Sequence, residues 1–167
     1  SGQELSANGC DKLAILFSAN PGQEPRSIQK VASGGELSRI ALAIKTVTAN
    51  RDGSPASMVF DEIDTGIGGR TAQMVAERIA MVAAHRQVLC ITHLPQIACM
   101  ADTHLYISKH VIDNQTSTVI HPLTTGERVN EIARMASGAN VSSASLDNAR
   151  EMIAYAGVKK EEYKKNV

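Results

Sequence analysis

The segment "ASMVFDEIDTGIGGRTAQMVAERIAMVAAHRQVLCITH", residues 56–93, decides the fold, because it reads as a strand, a helix and a second strand in succession. Its two ends, "ASMVF" and "QVLCIT", are apolar runs with the length of a buried strand. Between them, Val75 and Ile79 belong to an apolar pattern with helical spacing. Nearly continuous apolar strands separated by a helix are typical of parallel strands covered on both faces. The sequence therefore predicts an α/β fold.

Polar side chains follow both predicted strands at the point where each strand ends. Asp61 and Glu62 come directly after the first strand, and His93 comes after the second. Because ligands gather at the carboxyl ends of parallel strands, we expect these side chains along one edge of the sheet. Neighbouring residues on a strand point to opposite sides, so Asp61 and Glu62 are expected to have separate roles.

These residue types suit chemistry on a nucleotide phosphate. One carboxylate would hold Mg²⁺, and the second would orient and deprotonate the attacking water. His93 could donate a hydrogen bond to a phosphate oxygen. The alternatives are that Asp61 and Glu62 cap the turn that follows them and that His93 is a structural residue at a strand end.

A second segment, "KVASGGELSRIALAIKTV" at residues 30–47, places two glycines where an apolar helical pattern begins. The pattern predicts a helix from Glu36 to about Ala49. Ser33 and Glu36 have the spacing of a capping box, which leaves the glycines unexplained. A glycine inside a helix costs about 1 kcal/mol relative to alanine, and less in the first turn.

Gly34 and Gly35 therefore predict that something approaches the backbone at the start of this helix. Without β-carbons, their amides can meet an anion directly, and the positive end of the helix dipole favours a phosphate there. Such a clamp contains no general base and no metal ligand. We therefore expect the chemistry to be supplied by residues elsewhere.

The remaining predictions concern the outline of the chain, which at 167 residues has the length of a single domain. Turn chemistry at Asp113-Asn114 predicts a hairpin. The other predicted strands are Leu13–Ser18, "HLYISKH" and "STVIHPL", and the other predicted helices are Arg128–Ala136 and Ser145–Ala156. Residues 1–12 and 158–167 are expected to be flexible, solvated ends.

Composition excludes several classes of protein. The 17 basic residues balance 17 acidic ones, so this chain is not expected to supply the main phosphate-neutralising surface for DNA. Cys10, Cys90 and Cys99 are odd in number and widely spaced, which indicates free thiols in a reducing compartment. The apolar runs are too short to cross a membrane. We therefore expect a cytoplasmic protein without membrane contact.

Four segments together resemble the motifs of ABC-type ATPases. "ASGGELSR" is similar to their signature motif, "SMVFDE" to the Walker B strand, "IDTGIGG" to the D-loop and "CITHLPQIA" to the switch-histidine region. They occur in the expected order, and they are most similar to a branch related to the SMC proteins that acts in bacterial DNA double-strand-break repair and recombination. The resemblance implies the C-terminal lobe of a P-loop NTPase head, with a mostly parallel sheet flanked by helices.

The resemblance also implies roles for individual residues. Asp61 would organise Mg²⁺, Glu62 would be the general base, and His93 would contact the γ-phosphate of ATP. Asp64 would belong to the loop that communicates between two ATP sites. The residues that would bind ATP held by the opposing subunit are Ser33, Gly34, Gly35 and Glu36.

The resemblance is incomplete in one respect. The sequence contains no Gly-Lys pair, and so no Walker A loop of the form Gly-x-x-x-x-Gly-Lys-Ser/Thr. We therefore expect a fragment that neither binds ATP tightly nor hydrolyses it alone. The implied partners are the N-terminal half of the same head, a second copy joined through an ATP sandwich, and DNA through the full-length protein. Without that half, an apolar face or a strand edge is expected to stay uncovered, and self-association is expected.

Two alternatives stay open at the level of sequence. One is a lobe of another SMC-like or ABC-type ATPase, including the engine of a transporter. The other is a non-catalytic interaction module, in which the acids are structural and "SGGE" is only a helix cap. The sequence upstream of Ser1 would separate an SMC-like ATPase from a transporter engine, because several hundred residues of heptads there would favour the SMC-like class.

Overall fold

The computed structural model describes residues 14–18, 22–28, 33–48, 57–112 and 115–165. The chain divides into two compact units, residues 1–33 and residues 34–167. The strands are β1 (Leu16–Phe17), β2 (Arg26–Ser27), β3 (Ser57–Phe60), β4 (Gln87–Cys90), β5 (Leu105–Ile112) and β6 (Gln115–Pro122). The helices of the second unit are α1 (Gly34–Thr48), α2 (Gly69–Ala83), α3 (Pro95–Ala98), α4 (Thr125–Ser137) and α5 (Ser143–Lys165).

The described part of the first unit contains one short antiparallel pair of strands. Leu16 lies opposite Ser27, and Phe17 lies opposite Arg26. The strand predicted at Leu13–Ser18 is therefore confirmed over β1, and Leu13 lies outside the described residues. The expectation that both units form one domain stays a prediction.

The centre of the second unit is the predicted strand, helix and strand. β3 and β4 pair in parallel with Ser57 beside Gln87 and Phe60 beside Cys90, and α2 connects them along the chain. The α/β prediction is confirmed at this unit. The prediction succeeded because each element carries a complete apolar pattern of its own.

The core of this unit forms where one face of β3 meets the apolar side of α2. Met58 and Phe60 are buried, and they share a cluster with Leu42 of α1 and Ile63 of the following loop. The buried residues of α2 recur every three or four positions, as an amphipathic helix requires: Ala72, Val75, Ala76, Ile79, Ala80 and Val82.

The other face of β3 and β4 differs from the sequence-based expectation. Apolar strands of this kind were expected to be covered on both faces, but Val59 is 67% exposed and Ile91, just after β4, is 54% exposed. Leu89 is exposed as well. The reason is that side chains of a strand alternate between two faces, and only the Met58 and Phe60 face joins the core.

The remaining elements form a hairpin and a helical layer. β5 and β6 pair antiparallel from Leu105 opposite Pro122 to Ile112 opposite Gln115, which confirms both strands. The predicted turn at Asp113-Asn114 lies outside the described residues. Helices α4 and α5 pack through fully buried side chains, which include Ile132, Ala133, Ala149 and Ala156.

Both late helices are longer than the apolar pattern indicated. α4 begins three residues earlier than predicted, behind Thr124, whose side chain and that of Glu127 form a capping box. α5 continues to Lys165, so residues 158–165, expected to be a loose end, are helical. Tyr163 packs against the core, which gives this last stretch a reason to stay ordered. Within the ranges described above, no helix is long and apolar enough to cross a membrane.

Candidate functional site

The two predicted strand ends meet at one edge of the sheet. The Ile91 amide donates to the Phe60 carbonyl over 3.0 Å, so the parallel pairing continues to the last residue of β3. Asp61 follows at the next position, and His93 lies two residues beyond Ile91. The predicted clustering of the acids and the histidine at the carboxyl edge therefore follows from the register.

Asp61 and Glu62 begin a tight loop of residues 61–65, which we call the acidic loop. Both side chains are exposed. Asp61 Oδ1 accepts a hydrogen bond from the Glu62 amide over 2.9 Å, and the Thr65 amide donates to the Glu62 carbonyl over 3.1 Å. The bond of Asp61 is what the turn-capping alternative predicts. It engages one carboxylate oxygen and leaves the other for a further ligand.

Glu62 has an unusual backbone conformation, with φ of +56°. This left-handed region is uncommon for residues other than glycine, and such conformations persist only where the surroundings hold them. The Glu62 carboxylate has no hydrogen bond or ion pair to any part of the chain that the structure describes. A free carboxylate on a constrained backbone is a suitable arrangement for a general base.

Asp64 is the buried centre of the acidic loop, with only 4% of its surface exposed. Its Oδ2 accepts hydrogen bonds from Thr92 Oγ1 over 2.7 Å and from the His93 amide over 2.8 Å. The same oxygen lies 2.9 Å from His93 Nδ1. Burial alone raises the pKa of Asp64, but the bonds from Thr92 and His93 and the attraction to the imidazole outweigh it, and the net pKa is lowered.

Helix α1 holds the acidic loop from the other side. Arg39 Nη1 donates to the carbonyls of Ile63 and Thr65 over 3.1 and 2.9 Å. Ser38 Oγ donates to the Asp61 carbonyl over 3.0 Å. The loop is thus connected to α1 through three of its carbonyls and to the end of β4 through Asp64.

The glycine pair faces this same loop. A β-carbon on Gly35 would lie 2.9 Å from the Glu62 carbonyl oxygen and 3.1 Å from Thr65 Cβ. A β-carbon on Gly34 would lie 2.6 Å from Glu62 Oε2. The predicted close approach to the helix is present, and the chain's own acidic loop makes it. Whether an anion also binds there stays a prediction.

The helix itself begins two residues earlier than predicted, at Gly34 rather than at Glu36. Both glycines therefore lie in its first turn, where their cost to helix stability is reduced. Ser33 immediately precedes the helix in sequence, and Glu36 lies in its first turn. These positions match a capping box, and the nucleotide-binding role of both residues stays a prediction.

Asp61 could hold Mg²⁺ in the way the resemblance implies. Mg²⁺ in phosphate-transfer sites keeps several waters and is bound through one or two carboxylates together with substrate oxygens. One exposed carboxylate with a free oxygen fits that donor set. Within the described ranges, no group of three or more His, Cys, Asp and Glu side chains forms a metal site without substrate.

Sequence reasoning missed three residues of this site: Ser38, Arg39 and Thr92. All three lie inside the motifs quoted above. Each is a polar residue next to apolar ones, and this signal could have identified them. Their partners could not be inferred, because each contact joins residues more than twenty positions apart.

The class of protein follows from these features: an α/β protein with a candidate site at the carboxyl edge of a parallel strand pair. The chain is 48% identical to the DNA repair protein RecN of Bacillus subtilis over 153 residues, which are 92% of this chain and 26% of that protein. It is 48% identical to RecN of Deinococcus radiodurans and 41% identical to RecN of Haemophilus influenzae, over 90% of this chain in each case and 26% and 27% of those proteins.

These matches confirm the resemblance to RecN proteins, and the chain spans about a quarter of the length of the curated relatives it matches. No protein-family model matches the chain. A solved structure from the structural biochemistry of ATP-driven dimerization and DNA-stimulated activation of SMC ATPases covers 81% of this chain and 86% of its own, with 18% identity and a TM-score of 0.46. Agreement at that level is a partial overlap of backbones.

Proposed function

We propose that this chain is the C-terminal ATPase lobe of a RecN-like protein that acts in DNA double-strand-break repair. The observation that carries the proposal is the acidic loop. One short segment joins two exposed carboxylates, a histidine anchored through Asp64, and the start of the glycine-led helix. The similarity to RecN proteins supports the link to DNA repair, since the relatives bear that name.

In the proposed site, each residue has a separate task. Asp61 holds Mg²⁺ through its free oxygen, and the ion supplies positive charge to the phosphates when it is bound. Glu62, whose carboxylate has no partner in the described part of the chain, accepts a proton from the attacking water. His93 contacts the terminal phosphate through its exposed ring.

The start of α1 is proposed to act on a different nucleotide, the one held by the opposing subunit. Its first-turn amides and dipole favour a phosphate. The Glu62 carboxylate beside Gly34 belongs to a flexible side chain, so it can move aside for such a ligand. The proposed contacts to that phosphate come from Ser33, Gly34, Gly35 and Glu36.

The segment that carries Walker A is the proposed partner for the uncovered sheet face. Val59, Leu89 and Ile91 lie exposed on or beside β3 and β4, where an apolar surface is stabilised by burial. The match covers 26% of the Bacillus subtilis relative, so the unmatched part of that protein is about three times as long as the matched part. A second copy, joined through ATP, and DNA bound by the full-length protein complete the proposed partners.

The test uses the complete protein, with both the Walker A segment and this chain. We expect Glu62→Gln to abolish ATP hydrolysis and to leave ATP binding intact, because the amide cannot accept the proton from water. Glu151→Gln, an exposed change on α5, is the control and should leave the rate unchanged. An unchanged rate with Glu62→Gln would contradict the proposed base.

This chain by itself is expected to show no ATP turnover, because its sequence contains no Walker A loop. The amides and the lysine of that loop bind most of the triphosphate. Hydrolysis by the purified chain that Glu62→Gln removes would contradict this expectation. The measurement is phosphate release at a stoichiometric ratio of chain to ATP.

One observation favours the second candidate, a non-catalytic interaction module. The packing of the acidic loop against Gly35 explains that glycine without any ligand. The two candidates separate with Ser33→Arg in the complete protein. Loss of ATP-driven dimerization supports the ATPase lobe, and an unchanged dimer together with an unaffected Glu62→Gln variant supports the module.

A further inference from the structure

We propose that Asp64 is a positioning residue that fixes His93 as its Nδ1–H tautomer and thereby decides which ring nitrogen meets a phosphate. The inference rests on the proposed function only for its consequence in ATP hydrolysis. The arrangement of the two side chains is independent of that function.

The geometry begins with the burial difference between the two partners. The Asp64 side chain is 5% exposed, whereas the His93 side chain is 72% exposed. Asp64 is also held by Thr92 Oγ1 and by the His93 amide, so its carboxylate cannot follow the imidazole if the ring moves. The ring is therefore the mobile partner, and the carboxylate is the fixed point that orients it.

The next step is the location of the proton. An ionised carboxylate only accepts hydrogen bonds, so a contact of 2.9 Å between Asp64 Oδ2 and His93 Nδ1 requires the proton on Nδ1. The tautomer of a histidine is set by the hydrogen bond that its other nitrogen makes. In neutral His93, Nε2 is then an acceptor and has no partner among the residues that the structure describes.

This arrangement limits what His93 can do at a phosphate. In the neutral Nδ1–H ring, Nε2 carries a lone pair and no proton. It therefore cannot donate a hydrogen bond to a phosphate oxygen. His93 can donate from Nε2 only after it binds a second proton and becomes an imidazolium. Asp64 then lies beside the positive ring as its counter-charge. His93 therefore meets a phosphate oxygen as a donor through Nε2, with Asp64 Oδ2 fixed beside Nδ1.

The first test reads the tautomer in this chain directly. Long-range proton–nitrogen correlation spectra of the ¹⁵N-histidine-labelled chain separate the five histidines, and His93→Gln identifies the signal of interest. In the neutral ring, we expect a protonated Nδ1 and an unprotonated Nε2. The opposite pattern, or rapid exchange between both, would overturn the proposal.

Asp64→Asn should shift the ring toward the Nε2–H tautomer, because an amide accepts less strongly than a carboxylate and can itself donate to Nδ1. Asp102→Asn is the matched control, an exposed aspartate bonded to Lys160 and remote in sequence, and it should leave the tautomer unchanged. Should Asp64→Asn fail to fold, the tautomer of His93 in the unchanged chain remains the deciding measurement.

In the complete protein, Asp64→Asn should lower kcat for ATP hydrolysis by about 10- to 100-fold with little change in KM, because a misplaced group at the reacting centre costs up to that much. Combined with His93→Gln, it should cause no further loss, because both changes remove the same oriented ring. Additive losses would contradict the coupling. Absence of any ATP hydrolysis by the complete wild-type protein would reject the proposed function but not the role of Asp64, since the tautomer measurement does not depend on ATP hydrolysis.

Discussion

Gly34 and Gly35 are adjacent, yet the structure gives them different reasons to be glycine. A β-carbon on Gly35 would meet the Glu62 carbonyl and Arg39 Nη1, at 2.9 and 3.0 Å, and the carbonyl belongs to a constrained backbone. A β-carbon on Gly34 would meet only the end of the Glu62 side chain, which can rotate away. At the residue scale, one glycine is required by packing within the chain, and the other is left for a ligand to explain.

This difference gives a matched pair of variants. We expect Gly35→Ala to lower the free energy of unfolding by about 1 to 3 kcal/mol, because the acidic loop must shift. Gly34→Ala should be neutral or slightly stabilising, since alanine favours the helix. Chemical denaturation of the chain measures both. Equal destabilisation by the two substitutions would contradict the assigned contacts.

At the scale of elements, α1 and the acidic loop act as one unit joined by backbone-directed bonds. Arg39 lies one turn after the glycine pair, and its two bonds lie on either side of Asp64. The strands, the hairpin and the approximate helices were predictable from local apolar patterns. The start of α4 was missed although Thr124 and Glu127 have the spacing of a capping box. The last turns of α5 were not predictable, because Tyr163 acts through packing that the periodicity of the helix does not contain.

Arg39→Ala tests this connection between elements. Each lost hydrogen bond contributes about 1 kcal/mol, so we expect unfolding to become easier by about 1 to 3 kcal/mol. Amide exchange should accelerate across residues 62–65. Arg78→Ala is the control, because within the described part of the chain Arg78 makes only a weak contact to the sulfur of Met81. Similar effects of both substitutions would show that Arg39 does not hold the loop.

At the scale of the whole molecule, the strand pair β3 and β4 has one buried face and one exposed face. Val59 and Leu89 lie on the exposed side, next to each other in the parallel register. Exposed apolar patches on a sheet promote association. The expectation of an uncovered face agrees with this exposure, and self-association stays a prediction.

The combined substitution Val59→Thr and Leu89→Thr should reduce self-association of the chain and leave its free energy of unfolding within about 0.5 kcal/mol, since both side chains are exposed. Threonine is β-branched, a shape that strands favour. Sedimentation velocity at increasing concentration measures the effect, with the exposed Val158→Thr on α5 as control. Association that persists unchanged in the double variant would exclude this face as its cause.

The sequence by itself determined the parallel strand–helix–strand unit, the edge at which Asp61, Glu62 and His93 emerge, and the resemblance to RecN proteins. Those features depend on apolar periodicity and on motifs that are continuous along the chain. Only the tertiary structure decided that Arg39 holds the acidic loop, that this loop explains Gly35, and that Asp64 anchors His93. These contacts join residues separated by 24 to 29 positions, and no local pattern specifies which side chains meet across such a distance.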